Sequence, residues 1–94
     1  DGTWLVDVTI ENESWQISVG KEPKNVMEAF RLAWNEFEFR RNLPEKPPAP
    51  LVTKDAEMWY SRIMIKGQAI CEVWTPSKKA SKDSTLALYR DLKI

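Results

Sequence analysis

A proline-rich stretch near the middle of the chain is the strongest constraint on its fold. The segment LPEKPPAP, residues 43–50, holds prolines at positions 44, 47, 48 and 50. Proline lacks a backbone N–H and clashes with the preceding helical turn, so no helix continues through this segment and extended backbone is favoured. We predict a stiff connector over residues 43–50. A docking motif for an aromatic groove is the alternative interpretation.

Before the connector, the sequence predicts a β-hairpin followed by a helix. Apolar residues recur at every second position from Trp4 to Ile10, and residues 15–19 alternate again after the polar segment ENES. The hairpin is assigned to residues 1–20. Pro23 suits the first helical turn, so helix 1 is predicted over residues 23–41. Its expected inward stripe is Val26, Phe30, Ala33, Trp34 and Phe37, with Ala29 beside it.

Helix 1 is also apolar away from that stripe. Met27, Leu32 and Phe39 lie on its other sides. Such a helix either packs on two sides within its domain or offers a surface to a protein partner. These three residues are therefore the candidate interaction surface.

After the connector, the pattern predicts strands over residues 51–74 and helix 2 over residues 76–92. Lys66-Gly67-Gln68 is expected to form a tight turn between two of the strands. Thr75 is the first candidate for the helix N-cap, with Pro76 in the first turn, and Ser77 or Ser81 are the alternatives. The inward stripe of helix 2 is expected to be Ser84, Thr85, Leu88, Tyr89 and Leu92.

The two halves of the chain repeat one plan of strand, turn, strand and helix. They align at an offset of 55 residues, with identities at Trp4/Trp59, Ile10/Ile65 and Lys24/Lys79. We predict a single α+β domain over residues 1–94 with the element order ββα-β-ββα. Its antiparallel sheet is expected to carry both helices on one face, and two sheets that sandwich helix 1 are the alternative.

Charge is distributed unevenly along the chain. Fourteen basic and fourteen acidic residues cancel overall. Residues 1–50 hold six basic and nine acidic residues, whereas residues 51–94 hold eight and five. If the chain binds a polyanion, we expect the second half to bind it.

Lys78, Lys79 and Lys82 crowd the predicted start of helix 2. The helix macrodipole already places partial positive charge there, so three ammonium groups are locally unfavourable. A bound phosphate makes the arrangement favourable, because free N–H groups and lysines then converge on one anion. The alternative is an ordinary charged first turn.

The segment SKKASKDSTLALYRDL, preceded by MWYSRIMIKGQAICEVW, resembles the C-terminal half of a double-stranded RNA-binding domain. The resemblance covers about residues 24–94 and leaves the hairpin as an added element. It implies that Lys78, Lys79 and Lys82 contact phosphates across a major groove. It further implies that helix 1 approaches a minor groove through Arg31, Asn35 or Glu28.

Three features depart from that family and keep a second function open. The segment VTKDAEM stands where the family has its GPxH loop, with Lys54 as its cation. Trp74-Thr75-Pro76 replaces the family's Gly-x-Gly before the lysines, and helix 1 is acidic. The alternative function is therefore protein–protein interaction or homodimerisation with little RNA affinity. The start of the chain also resembles the arm-type DNA-binding domains of phage integrases, although its hairpin is acidic.

Catalysis, metals and membranes are not expected. The sequence has no histidine and one cysteine, Cys71, which argues against general acid–base chemistry, a zinc site and an internal disulfide. No cofactor or small-molecule substrate is predicted, and no apolar run is long enough to span a membrane. The lone thiol fits a reducing cytoplasmic or nuclear compartment. Because the chain starts at Asp1, we expect it to belong to a longer protein.

Overall fold

The structure is a computed structural model that describes residues 2–94. The class is α+β, as predicted, and the element order ββα-β-ββα is confirmed. The elements are β1 (Leu5–Ile10), β2 (Glu13–Ser18), α1 (Val26–Arg41), β3 (Leu51–Asp55), β4 (Met58–Ile65), β5 (Gln68–Thr75) and α2 (Lys78–Leu92).

The prediction that one sheet carries both helices is wrong. The described strands form two antiparallel sheets, one of β1 and β2 and one in the order β3-β4-β5. Helix α1 contacts β1 and β2, and α2 contacts the three strands of the second sheet. The chain divides into two compact units, residues 1–42 with Ile94, and residues 43–93. The assignment of residues 1–94 to one domain stays a prediction.

The first unit buries one face of its hairpin under α1. Its core consists of Val6, Val8, Ile17, Ala29, Ala33 and Phe37. The indole of Trp15 packs against Phe37 with ring centroids 5.1 Å apart. Since a two-stranded hairpin alone is marginal in water, burial against α1 supplies much of this unit's stability.

Helix α1 begins three residues later than predicted. Asn25 is its N-cap, and the side-chain oxygen of Asn25 accepts a 2.9 Å hydrogen bond from the backbone N–H of Glu28. Pro23 lies before the helix, where its carbonyl accepts a 3.0 Å hydrogen bond from the indole N–H of Trp4. Side-chain capping by Asn25 therefore outweighs the preference of proline for the first helical turn.

The predicted inward stripe of α1 is only partly buried. Ala29, Ala33 and Phe37 are fully buried, but Val26, Phe30 and Trp34 are 47–53% exposed. The buried residues recur every fourth position, so the contact line runs along the two alanines. Because alanine is small, the hairpin can approach the helix closely along this line.

In the second unit, β4 and β5 are joined by the turn predicted at Lys66-Gly67. Both residues have positive φ, +51° and +81°, as a two-residue hairpin turn requires. The register then shifts between Ile63 and Met64, and Ile70 has no Cα partner. This β-bulge changes which residues of β5 face the helix: Cys71 is buried, whereas Glu72 is exposed.

Helix α2 begins at Lys78 and not at Pro76. Ser77 is its N-cap, one of the two alternatives to Thr75, and the Oγ atom of Ser77 accepts a 3.3 Å hydrogen bond from the N–H of Ala80. The Thr75 hydroxyl instead donates a 2.6 Å hydrogen bond to the backbone carbonyl of Ser77. Pro76 therefore precedes the cap.

The buried face of α2 is smaller and more polar than predicted. Ser81, Thr85 and Tyr89 are buried, while Ser84 and Leu88 are exposed. The Oγ atom of Ser81 donates to the carbonyls of Trp59 and Val73, at 3.0 and 3.1 Å. One serine hydroxyl thus connects α2 to both β4 and β5. The phenol of Tyr89 donates to the carbonyl of Pro44, which attaches the connector to the helix.

Candidate nucleic-acid interface

The three lysines of the predicted phosphate site lie on the first turns of α2. The Ser77 cap places Lys78 and Lys79 at the first two helical positions, and Lys82 follows one turn after Lys78. All three are exposed, and the first turn holds no acidic residue. The arrangement predicted from the sequence is therefore present, starting two residues later.

The structure brings a fourth predicted lysine to this end of α2. The ammonium nitrogens of Lys54 and Lys78 lie 5.8 and 5.4 Å from the centroid of the Trp59 ring. Lys54 lies on β3, directly across from Trp59 on β4. Because both nitrogens approach one ring, Lys54 and the lysine cluster form a single basic surface. We call Lys54, Lys78, Lys79 and Lys82 the lysine patch.

No acid of the described chain neutralises the lysine patch. Among residues 2–94, none of its four ammonium groups forms an ion pair. The Trp59 ring attracts two of the cations without cancelling their charge. Residues 43–93 hold nine basic and six acidic side chains, so this unit carries a net charge of +3. The positive potential at the start of α2 is therefore available to an external anion.

The remaining predicted site residues belong to the first unit. Arg31 and Asn35 are exposed one turn apart on α1. In the candidate interaction surface, Met27 is 75% exposed, whereas Leu32 and Phe39 are half-buried. The exposed apolar residues next to Met27 are Val26, Phe30 and Trp34, which the sequence pattern had assigned to the core.

The sequence interpretation missed an aromatic cluster on the other face of the three-stranded sheet. Tyr60 stacks on Trp74 with centroids 4.5 Å apart and planes inclined by 23°. The guanidinium carbon of Arg62 lies 5.3 Å from the centroid of the Tyr60 ring, and the Tyr60 hydroxyl donates a 2.6 Å hydrogen bond to Glu72. Alternation along β4 is the signal that separates Tyr60 and Arg62 from the buried Ser61 and Ile63.

Three side chains in this unit, Tyr60, Cys71 and Tyr89, have a pKa above the ordinary value, and for Tyr89 the chief cause is burial. The hydrogen bond to Glu72, together with partial burial and the Glu72 charge, raises the pKa of Tyr60 above 10.0. Burial raises the pKa of the Cys71 thiol above 9.0. A thiol in this environment stays protonated and is a weak nucleophile at neutral pH.

Residues 2–94 contain no group of three or more His, Cys, Asp or Glu side chains placed to hold a metal ion. Neither of the helices in this range is long and apolar enough to cross a bilayer.

No protein-family model, curated protein or solved structure matches the chain. The resemblance to double-stranded RNA-binding domains therefore rests on the residues that carry it and stays a prediction.

Proposed function

We propose that residues 43–93 bind double-stranded RNA through the lysine patch. The convergence of Lys54 and Lys78 on the Trp59 ring, beside the N-terminus of α2, carries the proposal. These cations come from different elements, so together with Lys79 and Lys82 they present a surface instead of one point charge. A ladder of phosphates is the ligand that matches such a surface.

The lysine patch consists of four exposed ammonium groups, which suit phosphate oxygens. Ammonium groups act as point charges and carry little sequence information. We therefore expect binding that depends on duplex shape and charge more than on sequence. The 2′-hydroxyls and the A-form groove would then favour RNA over DNA.

The test is titration of the chain with a blunt RNA duplex of about 20 base pairs, longer than the roughly 16 that a double-stranded RNA-binding domain spans. Fluorescence anisotropy at two salt concentrations, beside a DNA duplex of the same sequence, gives affinity and salt dependence. We expect binding of RNA that weakens steeply with salt, by roughly 0.7–0.9 log units per log unit of salt for each phosphate contact.

A charge-matched pair of variants separates a specific patch from overall charge. Lys78→Ala/Lys79→Ala/Lys82→Ala is expected to abolish binding. Lys21→Ala/Lys24→Ala/Lys46→Ala removes the same charge from exposed positions outside the patch and should leave binding nearly intact. Equal losses in the two variants, or no RNA binding by the unmodified chain, would contradict the proposal.

The exposed apolar side of α1 favours a second candidate function, association of two copies of the chain. Met27, Phe30 and Trp34 are exposed at spacings of three and four residues and form one apolar line. An antiparallel pair of α1 helices would place Met27 near Trp34 of the other copy. It would also bring Lys24 near Glu38, so oppositely charged residues would flank the apolar contact.

Sedimentation of the chain tests this second function. A dimer is expected that dissociates in Met27→Glu and Trp34→Glu, whereas Leu88→Glu on α2, 44% exposed, serves as the matched control. A monomer at all concentrations would exclude self-association through α1. RNA binding is unaffected by either result, so the two functions are tested separately.

A further inference from the structure

The exposed face of the three-stranded sheet carries a second binding surface. We infer that Tyr60 and Trp74 form a stacking platform for unpaired bases next to the duplex held by the lysine patch. This inference rests on the proposed function and names the kind of RNA that the chain would prefer, a duplex with a single-stranded extension.

The platform is preformed. The rings of Tyr60 and Trp74 are stacked across neighbouring strands, and their Cα atoms are partners in the register of β4 and β5. The Glu72 carboxylate accepts a hydrogen bond from the Tyr60 hydroxyl and Arg62 lies over the Tyr60 ring, so the phenol is held from two sides. A flat aromatic surface that is already oriented loses little conformational freedom on binding.

The platform is also accessible. Trp74 remains 52% exposed although one ring already stacks on it, and Leu51 on β3 is 50% exposed on the same face. The backbone alternation places these side chains on the face opposite α2, whereas Ser61 and Ile63 point towards the helix. An indole open to solvent can accept the π-face of any base.

Position on the sheet links the platform to the lysine patch. Trp59, which contacts Lys54 and Lys78, and Tyr60 of the platform are consecutive residues on β4. Their side chains point to opposite faces of the same end of the sheet, and Trp74 precedes Lys78 by four residues. A strand leaving the duplex at the patch therefore needs only to cross the end of the sheet to reach the platform.

Charge favours nucleic acid over an apolar peptide as the occupant. The platform lies beside four lysines that form no ion pairs among residues 2–94, and Arg62 adds a cation at the rings. Stacking aromatics combined with a basic surface that follows the backbone are the features with which proteins hold single strands.

The experiment compares two RNAs that share one duplex of about 20 base pairs, one blunt and one with a single-stranded extension of about six nucleotides. We expect the unmodified chain to bind the extended RNA more tightly. Trp74→Ala should lose this gain, about 5- to 150-fold, and keep its affinity for the blunt duplex. Trp74→Phe, which keeps an aromatic face, should retain most of the gain. Leu5→Ala removes a large apolar side chain of comparable exposure from β1, outside both proposed surfaces, and should change neither affinity.

The possible results separate this inference from the proposed function. Equal affinity for both RNAs, or an extension gain that survives Trp74→Ala, overturns the platform and leaves duplex binding in place. Failure of the blunt duplex to bind, with Trp74-dependent binding of the isolated single strand, supports the platform and overturns duplex recognition. A dimer that dissociates in Trp74→Ala would assign this face to a second copy of the chain and overturn the platform. Urea unfolding of Trp74→Ala verifies that the variant is folded in each case.

Discussion

The ammonium nitrogen of Lys78 lies 5.4 Å from the centroid of the Trp59 ring. This contact joins the first residue of α2 to the middle strand of the sheet. A cation–π contact at an exposed site stabilises by about 0.5–1 kcal/mol, enough to bias a lysine rotamer but too little to neutralise its charge. The ring therefore orients Lys78 and leaves its ammonium group able to bind an anion.

The first prediction concerns the salt dependence of RNA binding. If Lys78 contacts a phosphate, Lys78→Ala should lower the slope of log affinity against log salt by about one, since one fewer counterion is released. Lys21→Ala, an exposed lysine of the first unit, is the control and should leave the slope unchanged. Anisotropy titrations at several salt concentrations measure both. An unchanged slope in Lys78→Ala would remove this residue from the interface.

The second prediction compares two buried serines. Ser81 donates to two carbonyls, so Ser81→Ala should lower the free energy of unfolding by about 1–3 kcal/mol. The Oγ atom of Ser61 is buried without a hydrogen-bond partner, so Ser61→Ala should be neutral or stabilising. Urea unfolding of both variants measures the difference. A larger loss in Ser61→Ala than in Ser81→Ala would contradict this assignment.

The third prediction concerns alkaline pH. The pKa of Tyr60 is raised chiefly by its hydrogen bond to Glu72, so the folded protein keeps this proton at a pH where the unfolded chain releases it. The resulting stability is complete below pH 10.0, the ordinary value, and is lost as the pH rises through the pKa of folded Tyr60. Glu72→Ala should lower that pKa.

Phenolate absorbance measures the effect. The chain has two tyrosines, so the titration is carried out in the Tyr89→Phe background, where only Tyr60 contributes. The same pKa with and without Glu72 would show that the hydrogen bond does not control the titration.

The fourth prediction concerns thiol reactivity. Cys71 is 4% exposed and burial raises its pKa, so the thiol should react slowly with alkylating reagents at neutral pH. The rate should rise steeply across the urea unfolding transition, because only the opened chain exposes the thiolate. Mass spectrometry follows the modification. Reaction in native buffer as fast as in urea would show that β5 opens independently of global unfolding.

The local sequence pattern was sufficient to predict the secondary-structure elements and their order. The alternation in Trp4 to Ile10, the prolines at 44–50 and the turn at Lys66-Gly67 led to the correct order of strands and helices. These signals are short-range, because they depend on the period of a strand, the missing N–H of proline and the positive φ of a tight turn.

The face that each element buries was harder to predict. One extra residue at Ile70 shifts the alternation of β5, and the alanines of α1 rather than its aromatics contact the hairpin. A bulge and a close helix contact depend on the partner element, so neither has a signature within its own segment. The bulge in β5 turns Trp74 away from α2. The alanine contact of α1 leaves Trp34 exposed to solvent.

The sequence by itself determined the α+β class, the order of seven elements and the concentration of lysines at the start of α2. Only the tertiary structure decided that the strands form two sheets, that Lys54 joins Lys78 at Trp59, and that Tyr60 and Trp74 stack on an exposed face. The physical reason is the sequence separation over which each kind of interaction acts. Periodicity and charge are written along the chain, whereas strand pairing and side-chain contacts depend on residues far apart in sequence that compete for the same partners.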